Sequence, residues 1–81
     1  MSKTAEIENF LSREIALILR MNEAEVNMDA SFDSFGIDSM TFVEVLIAIE
    51  NKFGVNLIEA GIAKADLKSL RTLALRIEKE L

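Results

Sequence analysis

Residues 36–44, Gly-Ile-Asp-Ser-Met-Thr-Phe-Val-Glu, carry the most information in this chain. A glycine turn leads into Asp38 and Ser39, and an apolar-rich helical pattern follows without interruption. The pattern places the Ser39 hydroxyl at the start of a helix, where backbone N–H groups and the helix dipole favour an anion. Ser39 is therefore well placed to carry a phosphate-linked group.

The composition excludes most catalytic chemistry. The chain contains no His and no Cys, which removes an imidazole base, a thiolate nucleophile and the usual zinc ligands. We therefore expect no catalytic residue and no metal site. The net charge of −5 argues against nucleic acid and anionic membranes as partners, and it suits basic protein surfaces. No segment approaches the roughly 20 apolar residues that span a bilayer, so we expect a cytoplasmic protein.

The remaining composition predicts one small all-α domain over residues 1–81. The chain is 51% hydrophobic, has no proline and only three glycines, and is dominated by residues that favour helices. Hydrophobic periodicity and capping residues predict a small bundle of three main helices, over about residues 4–20, 39–53 and 69–80. Thr4 is the expected cap of the first helix, and Gly54 ends the second. Gly61 interrupts a further stub of one or two turns within residues 59–64.

A long connection joins the first two main helices. Residues 21–38 are rich in Asn, Asp, Ser and Glu, and loops of this length are usually functional or anchored by their own hydrophobes. The expected anchors are Val26, Met28, Phe32 and Phe35. Spacings of three and four predict the core positions of the helices. These are Ile7, Phe10, Leu11, Ile15 and Ile18, then Phe42, Val45, Leu46, Ile49 and Phe53, and finally Leu70, Leu73, Ile77 and Leu81.

The second main helix carries an additional apolar stripe. At about 100° per residue, Met40, Val43 and Ile47 lie more than 100° from the centre of its core stripe. One interpretation is a helix buried on two sides. The other is a partner-docking patch beside Ser39, rimmed by Glu44 and Glu50. Burial of Val43 and Ile47 would distinguish the two.

Three segments together resemble the acyl carrier protein family over nearly the whole chain. They are Gly36-Ile37-Asp38-Ser39-Met40, Val43-Glu44, and Ile49-Glu50-Asn51-Lys52-Phe53, with Phe53 fourteen positions after Ser39. In such proteins a phosphopantetheinyl transferase attaches 4′-phosphopantetheine from coenzyme A to the serine, and the thiol of the arm holds acyl groups as thioesters. The resemblance implies a stand-alone, monomeric carrier whose arm is attached to Ser39.

The resemblance also suggests roles for the residues next to Ser39. It implies that Asp38 helps to organise the transferase's metal ion, although a simple helix cap is equally compatible with its position. Met40 occupies the position of an apolar residue that inserts into partner enzymes. Asp33-Ser34 is a second Asp-Ser pair, but a helix beginning there would place Gly36 near its start. Ser39 is therefore favoured over Ser34.

Differences between this sequence and fatty-acid carriers indicate the class of cargo. Thr41, Asn51 and Lys52 stand where fatty-acid carriers commonly have acidic residues. This more apolar face resembles carriers of polyketide or other specialised pathways, while an aminoacyl cargo of a nonribosomal-peptide-type pathway stays open. Expected partners are the transferase, an acyl- or aminoacyl-activating ligase, and enzymes of the ketosynthase or acyltransferase type.

Two other functions compete with a carrier. One is an unmodified helical adaptor that docks partners through the second apolar stripe. The other is calcium binding by Asp29, Ser31 and Asp33, but the loop lacks the glycine and the final glutamate of an EF-hand. An enzyme is the least favoured alternative, because the chain offers no pair of nucleophile and base.

Overall fold

The computed structural model describes residues 3–81, and this part of the chain folds into helices without a strand. The α-helices are α1 (Lys3–Leu19), α2 (Ser39–Phe53), α3 (Leu57–Ala60) and α4 (Leu70–Glu80). Three short 3₁₀ helices occupy Glu23–Glu25, Phe32–Phe35 and Lys64–Leu67. The prediction of an all-α bundle with three main helices and one short helix is confirmed.

The core lies where the apolar stripes of the three long helices meet, with α1 packed against α4. Residues from each stripe are buried, and full burial of such side chains stabilises a fold by about 1.5–3 kcal/mol each. They include Ile7, Leu11 and Ile15 of α1, Val45, Leu46 and Ile49 of α2, and Leu70, Leu73 and Ile77 of α4. Four predicted core residues, Phe10, Ile18, Phe42 and Phe53, are half-buried and pack against this cluster.

Several predicted details were wrong. α1 already includes Lys3, so Thr4 lies inside the helix and is not its cap. The short helix begins at Leu57 rather than near residue 59, because the Asn56 side chain accepts the N–H of Glu59 at 3.1 Å and starts the helix there. Gly61 ends it. Leu81 follows the end of α4 and is 52% exposed, so it does not belong to the core.

The long connection is fixed to the bundle by its own apolar residues, as predicted. Val26 and Phe32 are buried, while Met28 and Phe35 are half-buried against the core. The backbone N–H of Arg71 donates to the carbonyl of Met28 at 3.0 Å. The connection is therefore fixed to α4 through its backbone at Met28.

Two arginines of α4 tie the connecting segments to the bundle. The Arg71 guanidinium lies 3.0 Å from a carboxylate oxygen of Asp29 in the long connection. The Arg76 guanidinium donates to the carbonyl of Ala60 at 2.6 Å and lies 3.2 Å from Asp66. Arg76 thus anchors both α3 and the 3₁₀ helix that follows it.

No helix within residues 3–81 combines the length and the apolar character that a membrane crossing requires.

Candidate functional site

Ser39 is the first residue of α2, and its side chain is exposed. The preceding residue, Asp38, is extended (φ −77°, ψ 171°), and its carboxylate accepts the backbone N–H of Thr41 at 2.8 Å. The N–H of Phe42 donates to the Asp38 carbonyl at 2.9 Å. Because the first N–H groups of a helix have no acceptor within it, the Ser39 hydroxyl lies in a region that attracts an anion. The predicted cap by Asp38 is confirmed.

The capping hydrogen bond also acts on the acidity of Asp38. The Thr41 N–H stabilises the ionised carboxylate and holds the pKa of Asp38 below its ordinary value of 3.8. The carboxylate is exposed and is ionised at neutral pH. A negative charge therefore stands next to the Ser39 hydroxyl.

Gly36 makes the turn between the long connection and α2. Its backbone is left-handed (φ +68°), a conformation that L side chains rarely adopt. It caps the 3₁₀ helix Phe32–Phe35 by donating its N–H to the carbonyl of Asp33 at 3.3 Å. The glycine thereby separates the two Asp-Ser pairs into two different helices.

The two serines of these pairs differ in their hydrogen bonding. The Ser34 hydroxyl donates to the carbonyl of Ser31 at 2.6 Å, and the Ser34 N–H donates to the Ser31 hydroxyl at 3.3 Å. The Ser39 hydroxyl has no hydrogen-bond partner in the part of the chain that the structure describes. Its oxygen is therefore unengaged, whereas that of Ser34 serves the turn of its own helix.

The second stripe of α2 lies on the surface. Met40 is 78% exposed, Val43 43% and Ile47 50%, and Glu44 is exposed beside them. The interpretation that α2 is buried on two sides is therefore wrong. Ser39, Met40, Val43 and Glu44 line a shallow concavity of about 340 Å³. Ser39 thus shares one surface with Met40 and Val43 of the exposed stripe.

A second cleft, of about 240 Å³, also adjoins Ser39. Besides Ser39 it is lined by Phe32, Asp33, Ile37, Asp38, Phe42 and Leu67. This cleft is not predictable from the sequence, because Leu67 reaches it from a segment distant in the chain. The one sequence signal for the cleft was Phe42, which lies three positions after Ser39 and therefore on the same side of α2.

A larger concavity of about 530 Å³ lies far from Ser39. It is lined by residues of α1, including Phe10 and Arg13, and by Lys52 near the end of α2. Lys52 follows Ser39 by thirteen positions, which corresponds to about 20 Å along a helix. This concavity therefore takes no part in the site around Ser39.

The acidic residues of the long connection do not gather around a common centre. Within residues 3–81 no group of three or more carboxylates is placed to hold a metal ion. Asp29, a member of the supposed calcium loop, pairs with Arg71 instead. The geometry gives the calcium alternative no support.

Comparison with known proteins adds independent evidence. Residues 9–77 match the family model described as the phosphopantetheine attachment site. One similar protein is the orsellinic acid synthase armB of Armillaria mellea, with 38% identity over 40 residues. The aligned segment makes up 49% of this chain and 2% of that synthase, so the chain spans a very small part of its relative's length. No solved structure matches the chain.

The family match covers most of the chain, including all of α2 and the two Asp-Ser pairs. The all-α fold and the exposed serine at a helix start agree with it. This chain therefore belongs to the family of phosphopantetheine-binding carrier proteins, in which 4′-phosphopantetheine is covalently attached to a serine.

Proposed function

We propose that Ser39 is the serine that carries 4′-phosphopantetheine and that the protein presents acyl groups on this arm to biosynthetic enzymes. The observation that carries the proposal is the exposed Ser39 hydroxyl, which has no hydrogen-bond partner within residues 3–81 and opens α2. When attached, the arm supplies a flexible tether that ends in a thiol and holds an acyl group as a thioester.

The residues around Ser39 fit a phosphate-linked group. The N-terminus of α2 offers its positive dipole end and unpaired N–H groups to the phosphate. Asp38 fixes the start of the helix through Thr41 and thereby holds the serine in place. In the proposed function the exposed Asp38 carboxylate also helps to position the transferase's metal ion during modification.

The exposed stripe of α2 is the proposed docking surface for partner enzymes. Met40, Val43 and Ile47 offer apolar contact next to the attachment point, and Glu44 supplies a charge at their edge. Partners with an apolar recess flanked by basic residues would bury this stripe and pair with the carboxylate. Such partners are the phosphopantetheinyl transferase, an acyl- or aminoacyl-activating ligase, and enzymes of the ketosynthase or acyltransferase type.

The proposed cargo is an acyl group of a polyketide or other specialised pathway. Two observations support this choice: Thr41, Asn51 and Lys52 leave α2 with few carboxylates, and the similar Armillaria mellea protein is an orsellinic acid synthase. We further propose that residues 1–81 act as one monomeric cytoplasmic domain without a nucleic acid or membrane partner. An aminoacyl cargo is the alternative that a loading assay would reveal.

Intact-mass spectrometry tests the attachment residue. The purified protein is incubated with coenzyme A and a promiscuous phosphopantetheinyl transferase, and its mass is expected to rise by one phosphopantetheine. Ser39→Ala is expected to abolish the gain, whereas the matched variant Ser34→Ala is expected to retain it. Circular dichroism verifies that both variants are folded.

Failure of the wild-type protein to gain mass, while a known carrier domain is modified in the same reaction, would refute the proposal and favour an unmodified adaptor. A gain that disappears in Ser34→Ala and persists in Ser39→Ala would move the attachment to Ser34. Loading of the modified protein by acyl-activating and aminoacyl-activating ligases, followed again by mass, then identifies the cargo class.

A further inference from the structure

The apolar cleft beside Ser39 is built around an aromatic pair. The rings of Phe32 and Phe42 meet edge to face, with centroids 5.4 Å apart and planes at 75°. Phe32 is buried and Phe42 is half-buried, and Ile37 and Leu67 complete the apolar walls. Since Ser39 itself lines this cleft, any group attached to its hydroxyl begins at the rim.

Contacts outside the cleft fix two of its walls, at Phe32 and at Leu67. Phe32 also contacts the ring of Phe35 edge to face, with centroids 6.3 Å apart. Leu67 belongs to the 3₁₀ helix that contains Asp66, and Asp66 is paired with Arg76 of α4 at 3.2 Å. The cleft is therefore part of the folded bundle and requires no rearrangement to accept a small group.

The covalent chemistry of the arm determines which of its atoms lie nearest to this cleft. In phosphopantetheine the phosphate is followed by one methylene group and then by a carbon that bears two methyl groups. The amides and the thiol come later. The branched carbon and its two methyl groups are therefore the purely apolar part of the arm that lies nearest to the phosphate, and they match the apolar walls of the cleft.

Size and charge agree with this match. A cleft of about 240 Å³ has room for a small branched group. Asp33 and Asp38 also line the cleft, and their carboxylates would repel a phosphate that entered it. With its phosphate at the start of α2, an attached arm would bring its apolar carbons beside the cleft.

We infer that the cleft formed by Phe32, Ile37, Phe42 and Leu67 seats the two methyl groups of the arm next to Ser39. This inference rests on the proposed attachment at Ser39. Seating the methyl groups gives the first segment of the arm a preferred direction as it leaves the protein. The remaining, more polar segment stays free to reach partner enzymes.

Nuclear magnetic resonance of the modified protein tests the inference without measuring activity. Protons of the two methyl groups are expected to show cross-relaxation peaks to the rings of Phe32 and Phe42. Their resonances are expected to shift upfield from those of free pantetheine because of the ring currents. Phe42→Leu is expected to lose most of this upfield shift.

Phe53→Leu is the matched control. Phe53 is also a half-buried phenylalanine of α2, and its ring meets that of Phe10 edge to face at 5.3 Å. It lies fourteen positions from Ser39, so the variant is expected to keep the methyl shift. If Phe42→Leu does not fold, Ile37→Ala probes the same cleft, and the wild-type cross-relaxation peaks decide the question by themselves.

The possible outcomes separate this inference from the proposed function. If the protein gains no mass at Ser39, both the proposed function and this inference are wrong. A modified protein whose methyl resonances equal those of free pantetheine would overturn the inference and leave the proposed function intact. Cross-relaxation from the ring protons to the far end of an attached acyl group, and not to the two methyl groups, would show that the cleft takes cargo and would also overturn it.

Discussion

The two apolar faces of α2 are similar in composition and opposite in environment. Val45, Leu46 and Ile49 are buried in the core, whereas Val43 and Ile47, aliphatic residues of the same helix, lie on the surface. The difference arises from helical phase, since the first face is turned toward the rest of the bundle and the second is not. Hydrophobicity alone therefore does not identify a core residue in this protein; its position around the helix must also be known.

The largest expected difference between the two faces concerns stability. Ile49→Ala leaves a cavity in the core and is expected to lower the free energy of unfolding by about 2–5 kcal/mol. Ile47→Ala removes the same atoms from the surface and is expected to change it by less than about 0.5 kcal/mol. Urea unfolding followed by circular dichroism measures both. Equal losses in the two variants would show that the exposed face also supports the fold.

In partner recognition, substitutions on the exposed face of α2 are expected to have a large effect. Ile47→Asp places a charge on the proposed docking surface and is expected to lower kcat/KM of the phosphopantetheinyl transferase for this protein by at least about tenfold, equivalent to about 1.4 kcal/mol. The reason is that an aspartate would have to be desolvated against an apolar recess. Mass spectrometry at several protein concentrations gives the rates.

Leu17→Asp is the control for this experiment. Leu17 is 69% exposed on α1, outside the proposed docking surface, so its substitution is expected to leave the transfer rate unchanged. A similar slowing in both variants would point to a general effect of charge. Unchanged rates in both would remove the stripe of α2 from transferase recognition.

Features of the fold that depend on neighbouring residues could be predicted from sequence more fully than features that depend on distant ones. The bounds of α2, its cap and its two stripes depend on neighbours within a few positions, and all of them were predicted. The start of α3 at Leu57 was missed although Asn56 is a suitable cap, because Gly61 drew the prediction toward later residues. Leu81 continues the apolar period, but the helix ends before it.

In the candidate site, too, some features follow from local sequence and others depend on the folded bundle. The exposed Ser39 and its capping neighbour Asp38 follow from local rules of helix initiation. The cleft beside them does not, because Phe32, Phe42 and Leu67 come from three separate elements that only the folded bundle brings together. Periodicity marked Phe42 as a core residue, yet its half-buried ring also forms a wall of the site. Sequence reasoning thus located the exposed serine at the start of α2 but not the cleft beside it.

The smallest expected effect concerns the cap at Asp38, which starts the helix that carries both faces. The Thr41 N–H holds the pKa of Asp38 below its unfolded value of 3.8. In the pH range between the folded and unfolded pKa values, the unfolded state binds more protons, so the free energy of unfolding rises with pH there. The stabilisation by the ionised cap is fully present above about pH 4 and is lost as the pH falls through the folded pKa.

Asp38→Asn isolates this contribution, because asparagine also caps helices but does not titrate. The stability difference between wild type and variant is expected to be small at neutral pH and to shrink further as the pH is lowered below 4, since the other carboxylates are common to both. Urea unfolding at a series of pH values measures it. A difference that stays constant with pH would mean that the charge of Asp38 adds nothing to the stabilisation that the hydrogen bond to Thr41 provides.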